Sequence, residues 1–149
     1  MEKKQKTIKN ITQIEGIGLH TGKKSKLTFK PAPANTGILF IRTDIQSSPP
    51  IKAEIDNLLD IEKYPRRTSL GNEDCQIHTV EHLLSALYAL EIDNLIIEIE
   101  GEECPGLDGS AASFVEIIKK AGIKELDELK EITHLKEPIY ISENGAHLI

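Results

Sequence analysis

The sequence predicts an α+β fold, a two-layer sandwich in which a mostly antiparallel sheet carries two main helices on one face. Segments that alternate polar and apolar residues cluster in the first half of the chain, and helical periodicity occurs in only two segments. Strand–helix–strand alternation is confined to the second half, which is atypical of a doubly wound parallel sheet. The 149 residues, 39% of them apolar, suffice for one domain with its own core, or for one domain and part of another.

The strands of the first half are predicted from residue type and alternation. Residues 7–14 are rich in β-branched side chains, and the glycines at 16, 18 and 22 end that strand. Residues 26–30 alternate polar and apolar side chains, which is typical of a half-buried strand. Residues 38–41 form a further short strand.

The second half contains both predicted helices. Leucines recur at helical spacing after Thr79, which stands where an N-cap belongs. Residues 110–121 have a second apolar face, and Gly122 follows as a C-cap. The remaining predicted elements are short strands at 68–70, 76–77, 94–100 and 138–142, a turn at 71–72 and a charged surface segment at 125–131. No partner strand is predicted after residue 142.

Composition and charge exclude several classes of protein. The formal net charge of −6 argues against a nucleic-acid binder, which usually carries a basic excess. Residues 23–26 and 66–67 are candidate sites for a small anion, although a solvated rim is the commoner role of such charges. No apolar run is long enough to span a membrane, and we expect no secretory signal because no apolar segment follows the charged residues 2–6. Cys75 and Cys104 lie far from any C-x-x-C spacing, so we expect free thiols and a cytoplasmic location.

The segment HTVEH at residues 78–82 is the sharpest local pattern. An imidazole is a good zinc ligand, and a nearby carboxylate can take a proton from water. As H-x-x-E-H the segment matches the inverted zincin pattern, in which His78 and His82 would share one helix face. However, a helix that starts at Thr79 would leave His78 outside it. Simple packing of His82 at the helix start remains an alternative.

Two further segments contain residues suited to binding. EGIGLHTG at 15–22 spaces three glycines around His20, which permits close approach of a ligand but is also typical of a tight hairpin. It precedes a strand rather than a helix, so it is not a dinucleotide-binding fingerprint. CPGLDGS at 104–110 leads into the second helix, which Asp108 or Ser110 is expected to cap.

Taken together, these segments resemble the zinc-dependent UDP-3-O-acyl-N-acetylglucosamine deacetylases of lipid A biosynthesis. EGIGLHTG at 15–22, TVEHLL at 79–84, IDN at 92–94 and LDGSAA at 107–112 occur in the family's order and at its separations. The resemblance covers about residues 6–122.

The resemblance implies a domain organisation. Each half of that family is a small α+β layer similar to the second domain of ribosomal protein S5, with the active site between the halves. Residues 1–136 would form the first, N-terminal domain, and residues 137–149 would begin a truncated second domain.

The resemblance also implies roles for individual residues. Glu81 would be the general base that activates the attacking water, and His82 would be one zinc ligand. His20 would lie near the metal and take part in a possible secondary metal site. Leu19, Arg67 and Thr68 would bind the substrate, and Asp108 would have a structural role near the site.

The implied reaction is hydrolysis of the N-acetyl group of UDP-3-O-acyl-N-acetylglucosamine, the committed step of lipid A biosynthesis. A catalytic zinc site takes three protein ligands, and the family's other two come from an HKxxD segment in its second half. After His82 only His134 and His147 remain, and neither is followed by the required aspartate. We therefore expect the 149-residue chain to bind zinc weakly or not at all, and to be inactive without a C-terminal domain. The alternative is a stand-alone, non-catalytic binding or structural module of the same fold.

Overall fold

The computed structural model describes residues 2–149 and confirms the predicted α+β class. The helices are α1 (Glu81–Ala89) and α2 (Ala112–Ala121), and a short 3₁₀ turn covers Ile55–Asn57. The strands within the described range are β1 (Lys4–Ile8), β2 (Thr12–Ile17), β3 (Lys24–Pro31), β4 (Ile38–Arg42), β5 (Ile51–Lys52), β6 (Ser69–Gly71), β7 (Gln76–His78), β8 (Leu95–Glu100), β9 (Ile123–Leu129), β10 (Ile141–Glu143) and β11 (Ala146–Leu148).

A five-stranded sheet in the order β2-β3-β8-β4-β5 forms the centre of the protein. The pairs β2–β3, β3–β8 and β4–β5 are antiparallel, and β4 and β8 are parallel. The predicted mostly antiparallel sheet is therefore confirmed. Two-stranded pairs β1–β9, β6–β7 and β10–β11 accompany it.

The hydrophobic core joins the central sheet to both helices, as expected for a two-layer α+β sandwich. Alternation along β3 and β8 turns their apolar side chains toward the core. On the opposite face of the sheet, Lys30 Nζ and Glu98 Oε1 form an ion pair with a separation of 2.5 Å. The largest fully buried side chains of the core include Leu27, Phe29, Phe40, Leu83, Ile97, Ile99, Phe114 and Ile118.

The single strand predicted over residues 7–14 is wrong, because the chain changes partner in the middle of that run. β1 ends at Ile8 and β2 begins at Thr12. Between them, the amides of Lys9 and Asn10 donate to the carbonyls of Gly122 (2.9 Å) and Ala121 (3.1 Å). These hydrogen bonds hold residues 9 and 10 at the end of α2, so the chain is not continuous strand from residue 7 to residue 14. The β-branched composition of the segment does not predict such a partner.

The charged segment predicted over residues 125–131 is exposed but is mostly a strand. β9 pairs antiparallel with β1, and Lys4 lies 3.6 Å from Asp127 across that pair. Gln5 also donates to the carbonyl of Leu129 at 3.0 Å. Backbone pairing therefore overrides the low strand propensity of acidic residues here.

The strand predicted without a partner at residues 138–142 does have one. β10 begins at Ile141 and pairs with β11 in a terminal hairpin. Every side chain of residues 131–149 is exposed. The proposed boundary between residues 136 and 137 stays a prediction, and Met1, the first residue of the predicted first domain, lies outside the described residues.

The turn predicted at Gly71 joins β6 to β7. Gly71 has φ +133°, and a Cβ there would lie 2.0 Å from the carbonyl oxygen of Cys75. We expect Gly71→Ala to lower the free energy of unfolding by about 3 kcal/mol, because strain at this φ adds to displacement of the backbone. Urea unfolding followed by circular dichroism measures the loss.

Gly37→Ala is the matched control for that substitution. Gly37 also has a positive φ of +73°, but no heavy atom lies within 4 Å of the added carbon. We expect Gly37→Ala to lower the free energy of unfolding by about 1 kcal/mol, from backbone strain alone. Equal losses for the two variants would contradict the steric explanation at Gly71.

Candidate functional site

A groove of about 610 Å³ lies where the loop after β2, the start of α1 and the loop before α2 meet. It brings together three residues that were predicted separately from three motifs, namely Leu19, His82 and Asp108. Its other lining residues are Ile17, Gly18, Gly22, Thr79, Gly106, Leu107 and Gly109. The three motifs therefore share one surface.

The start of α1 differs from the prediction that Thr79 is its N-cap. The helix begins at Glu81, Val80 occupies the cap position, and no side chain caps the helix. Thr79 has a φ of +58°, which is rare for a β-branched residue, and its hydroxyl donates to Glu103 Oε1 at 2.7 Å. The hydroxyl is thus engaged with a distant loop instead of the helix.

Glu81, the predicted general base, is half-buried and held by the segment before β6. The backbone amide of Thr68 donates to Glu81 Oε2 at 3.0 Å, and the amide of Val80 donates to the carbonyl of Thr68 at 3.3 Å. The predicted site residue Thr68 therefore lies beside the predicted base.

The charge of Glu81 also acts on the thiol of Cys104. Burial raises the pKa of the Cys104 thiol, and the charges of Glu81 and Glu103 raise that pKa further.

His82 and Asp108 both line the groove. Two hydrogen bonds from Ser110, from its amide at 3.0 Å and its hydroxyl at 2.9 Å, hold the pKa of Asp108 below its usual range. His82 contributes a smaller lowering of that pKa. Ser110 Oγ in turn accepts from the amide of Ala112 at 3.1 Å. Ala111 nevertheless occupies the cap position of α2 and no side chain caps that helix, so the predicted cap at Asp108 or Ser110 is wrong.

Arg67, a predicted substrate-binding residue, lies in the segment before β6. Its guanidinium lies 5.6 Å from the ring centroid of Tyr64, and its Nε is buried without a hydrogen-bond partner among residues 2–149. Thr68, whose amide contacts Glu81, and the preceding Arg67 are not among the residues that line the groove. Leu19, by contrast, lines the groove with 70% of its side chain exposed.

Glu103 is the residue of this region that sequence reasoning missed. It is 1% exposed, and its carboxylate accepts from the amides of His20 (3.0 Å) and Thr21 (2.8 Å) and from Thr79 Oγ1. Burial by itself would raise the pKa of Glu103, but these donors outweigh it and hold the pKa at about 2. An acidic residue in an acidic loop gives no sign of burial in sequence, because only the tertiary fold supplies its three donors.

His78 cannot share a helix face with His82, because it is the last residue of β7. Its ring is buried, its Nδ1 lies 2.8 Å from Ser69 Oγ, and its centroid lies 5.0 Å from that of Tyr64. The structure therefore removes the geometry that the inverted zincin hypothesis requires.

The burial of His78 predicts a pH dependence of stability. Burial lowers the pKa of His78, and the charge of Arg67 lowers it further. The unfolded chain, with a histidine pKa of about 6.5, binds the proton more readily, so the free energy of unfolding falls as the pH is lowered below that value. Urea titrations between about pH 7 and pH 5 measure this slope.

His78→Gln is expected to flatten that slope, because glutamine does not titrate. His134→Gln is the matched control, since His134 is exposed in the segment after β9. An unchanged slope in His78→Gln, or a flattened one in His134→Gln, would assign the effect to another group.

The donor set of this region fits part of a zinc site. His82 presents an imidazole at the groove, and imidazole is a common zinc ligand. Within the described range, residues 2–149, no three His, Cys, Asp or Glu side chains are grouped so that they could hold a metal ion. No helix in the same range is long and apolar enough to cross a membrane.

A carboxylate and an imidazole on successive residues beside a groove are typical of metal-dependent hydrolases. The chain matches the family model of UDP-3-O-acyl N-acetylglycosamine deacetylase over residues 5–149. It belongs to that family, as the motifs in its sequence predicted.

Two curated relatives illustrate the similarity. The chain is 49% identical over 135 residues to the bifunctional enzyme LpxC/FabZ of Chlorobaculum tepidum, covering 91% of this chain and 28% of that protein. It is 45% identical over 143 residues to the UDP-3-O-acyl-N-acetylglucosamine deacetylase of Bdellovibrio bacteriovorus, covering 96% of this chain and 46% of that protein. The chain thus spans less than half the length of either relative.

Proposed function

We propose that this chain is the first domain of a cytoplasmic, zinc-dependent deacetylase that hydrolyses the N-acetyl group of UDP-3-O-acyl-N-acetylglucosamine in lipid A biosynthesis. The observation that carries the proposal is the meeting of Leu19, His82 and Asp108 on one groove in a member of this family. A second domain that begins near residue 137 would complete the site.

Glu81 is the proposed general base. The amide of Thr68 holds Oε2, whereas Oε1 accepts no hydrogen bond from the described residues. A general base needs a fixed carboxylate with an oxygen available to take the proton from the attacking water. The hydrogen bond from Thr68 supplies the fixed orientation, and the unengaged oxygen supplies the acceptor.

His82 is the proposed metal ligand of this chain, and His20 belongs to a possible secondary metal site. Zinc, when bound, would polarise the acetamide carbonyl and stabilise the developing oxyanion. A catalytic zinc site takes three protein ligands, whereas His82 is the one imidazole that lines the groove and no group of three possible ligands occurs among residues 2–149. The isolated chain is therefore inactive in this proposal, with weak zinc binding.

The substrate and the second domain would both contact the exposed apolar residues at the groove. Ile17 is 59% exposed and Leu19 is 70% exposed, and both line the groove; exposed apolar residues grouped in this way mark surfaces that bind a ligand or another domain. Thr68, whose amide contacts Glu81, and Arg67 are the proposed polar contacts of the substrate.

The proposal is tested by comparing the 149-residue chain with the complete enzyme, meaning a polypeptide in which these residues are joined to a segment that supplies two more zinc ligands. Both are loaded with one equivalent of zinc, and acetate release from UDP-3-O-acyl-N-acetylglucosamine is measured. We expect turnover by the complete enzyme and none by the 149-residue chain.

Clear turnover by the 149-residue chain would contradict the half site. Absence of turnover by the complete enzyme would contradict the proposed deacetylase activity. The reading frame decides between the proposal and a stand-alone, non-catalytic module, because a stop codon directly after Ile149 favours the module and an open frame reaching a His- and Asp-containing ligand segment favours the enzyme.

A further inference from the structure

We infer that Glu103 is a positioning residue of the site, whose carboxylate fastens the His20 loop (residues 18–21) to the entry of α1. We call this arrangement the Glu103 clamp. It comprises the Glu103 carboxylate, the amides of His20 and Thr21, and the hydroxyl of Thr79. The inference deepens the proposed function, on which its kinetic test rests.

The first step of the argument is that Glu103 itself is rigidly held. The amide of His78 donates to the carbonyl of Glu102 at 2.9 Å, and the amide of Cys104 donates to the carbonyl of His78 at 3.0 Å. These two hydrogen bonds flank Glu103 and fix its backbone to the end of β7. Its carboxylate therefore projects from a fixed point.

The second step is that both carboxylate oxygens are used, and by two different segments. Oε1 accepts from the amide of His20 at 3.0 Å and from Thr79 Oγ1 at 2.7 Å, and Oε2 accepts from the amide of Thr21 at 2.8 Å. Hydrogen bonds to an ionised acceptor are shorter and stronger than neutral ones. One buried side chain thus joins the loop that carries His20 to the residue two positions before Glu81.

The third step is that the backbone of the loop is built for this contact. A Cβ on Gly18 would lie 2.4 Å from Glu103 Oε2 and 2.5 Å from Thr21 Oγ1. Only glycine fits at that separation without displacing the carboxylate from its donors. Thr79 likewise keeps its φ of +58° while its hydroxyl reaches Glu103, and residues held in rare conformations concentrate at functional sites.

Glu103 does not itself line the groove, although Thr79, whose hydroxyl donates to it, does, so its effect on chemistry would pass through the placement of His20, Glu81 and His82. A small misplacement of such groups by a remote substitution can lower a rate by about 100-fold. A purely structural role would instead lower stability and leave the rate of the folded enzyme unchanged. The two roles are therefore separable by experiment.

The test uses Glu103→Gln, which keeps the size of the side chain but turns an N–H₂ group toward at least one of the three donors. In the 149-residue chain, amide hydrogen exchange followed by NMR should show protection of His20 and Thr21 reduced by about tenfold or more, with protection in β3 and β8 retained. In the complete enzyme, kcat should fall by about 10- to 100-fold, while KM changes by less than about 2-fold.

Glu102→Gln is the matched control. The neighbouring Glu102 pairs at the surface with Lys23 at 2.9 Å, so its neutral variant should leave both the exchange pattern and kcat unchanged. Thr79→Val is the second variant, because it removes one donor while the two loop amides keep their acceptor. It should lower kcat in the same direction, which keeps the inference testable if Glu103→Gln does not fold.

Retained protection of His20 and Thr21 in Glu103→Gln would overturn the clamp. Lost protection with unchanged kcat would overturn its role in positioning. If the unsubstituted complete enzyme releases no acetate, the proposed function fails, and the exchange pattern of the 149-residue chain then decides the clamp by itself.

Discussion

Glu81→Gln is expected to lower the kcat of the complete enzyme by about 10²- to 10⁴-fold, the usual contribution of a general base. Glutamine has the shape of glutamate and can still accept the hydrogen bond that the Thr68 amide gives to Oε2 at 3.0 Å. The carbonyl oxygen of an amide cannot take up the proton of the attacking water at neutral pH. The loss should therefore fall on kcat, with little change in KM. Acetate release under saturating substrate measures it.

Zinc content and fold are the controls for this prediction. Glu81→Gln should bind as much zinc as the unsubstituted enzyme, because Glu81 is not the proposed ligand. Glu128→Gln, on the exposed face of β9, removes one carboxylate remote in sequence from every site motif and should leave kcat unchanged. If kcat of Glu81→Gln falls by less than about tenfold, another group takes the proton from the attacking water.

His82→Ala is expected to weaken zinc binding by the complete enzyme by more than about 100-fold. Even residues that only support a ligand contribute 10- to 100-fold to metal affinity, and removal of a ligand should exceed that. Competition with a chelator of known affinity measures the change. The fold should persist, since His82 is only half-buried at the groove, whereas Leu83 beside it is in the core.

His78→Gln is the comparison that separates the two ways of reading the HTVEH segment. Its side-chain carbonyl can still accept a hydrogen bond from Ser69, whose hydroxyl lies 2.8 Å from His78 Nδ1 in the native chain. We expect unchanged zinc affinity in this variant. A loss as large as that of His82→Ala would revive the pair of histidine ligands that the inverted zincin pattern predicts.

Much of the fold followed from local patterns. The strands at Ile38–Arg42 and Leu95–Glu100 and the helices at Glu81–Ala89 and Ala112–Ala121 begin and end within a few residues of their predicted bounds. Periodicity is informative there because each element buries one face. Gly122 ends α2 with a φ of +77°, and its amide donates to the carbonyl of Lys119, as its predicted C-cap role requires.

The errors concentrate where a distant partner decides. Residues 9–11 separate β1 from β2 because the amides of Lys9 and Asn10 donate to carbonyls at the end of α2. The acidic run of β9 is a strand because β1 pairs with it. Thr79 fails as an N-cap because Glu103, in another loop, accepts its hydroxyl proton. In each case the competing interaction comes from more than 20 residues away in the chain.

The sequence by itself predicted the α+β class and the family, and the family resemblance proposed roles for Glu81, His82, His20 and Asp108, which stay predictions. Hydrophobic periodicity is sufficient for the class, and the order and separation of the motifs are sufficient for the family. Tertiary structure alone decided that His78 is buried in β7 outside the helix of His82, that Leu19, His82 and Asp108 share a groove, and that the buried Glu103 accepts hydrogen bonds from the His20 loop. The physical reason is that burial, groove geometry and hydrogen-bond partners depend on contacts between segments far apart in the chain.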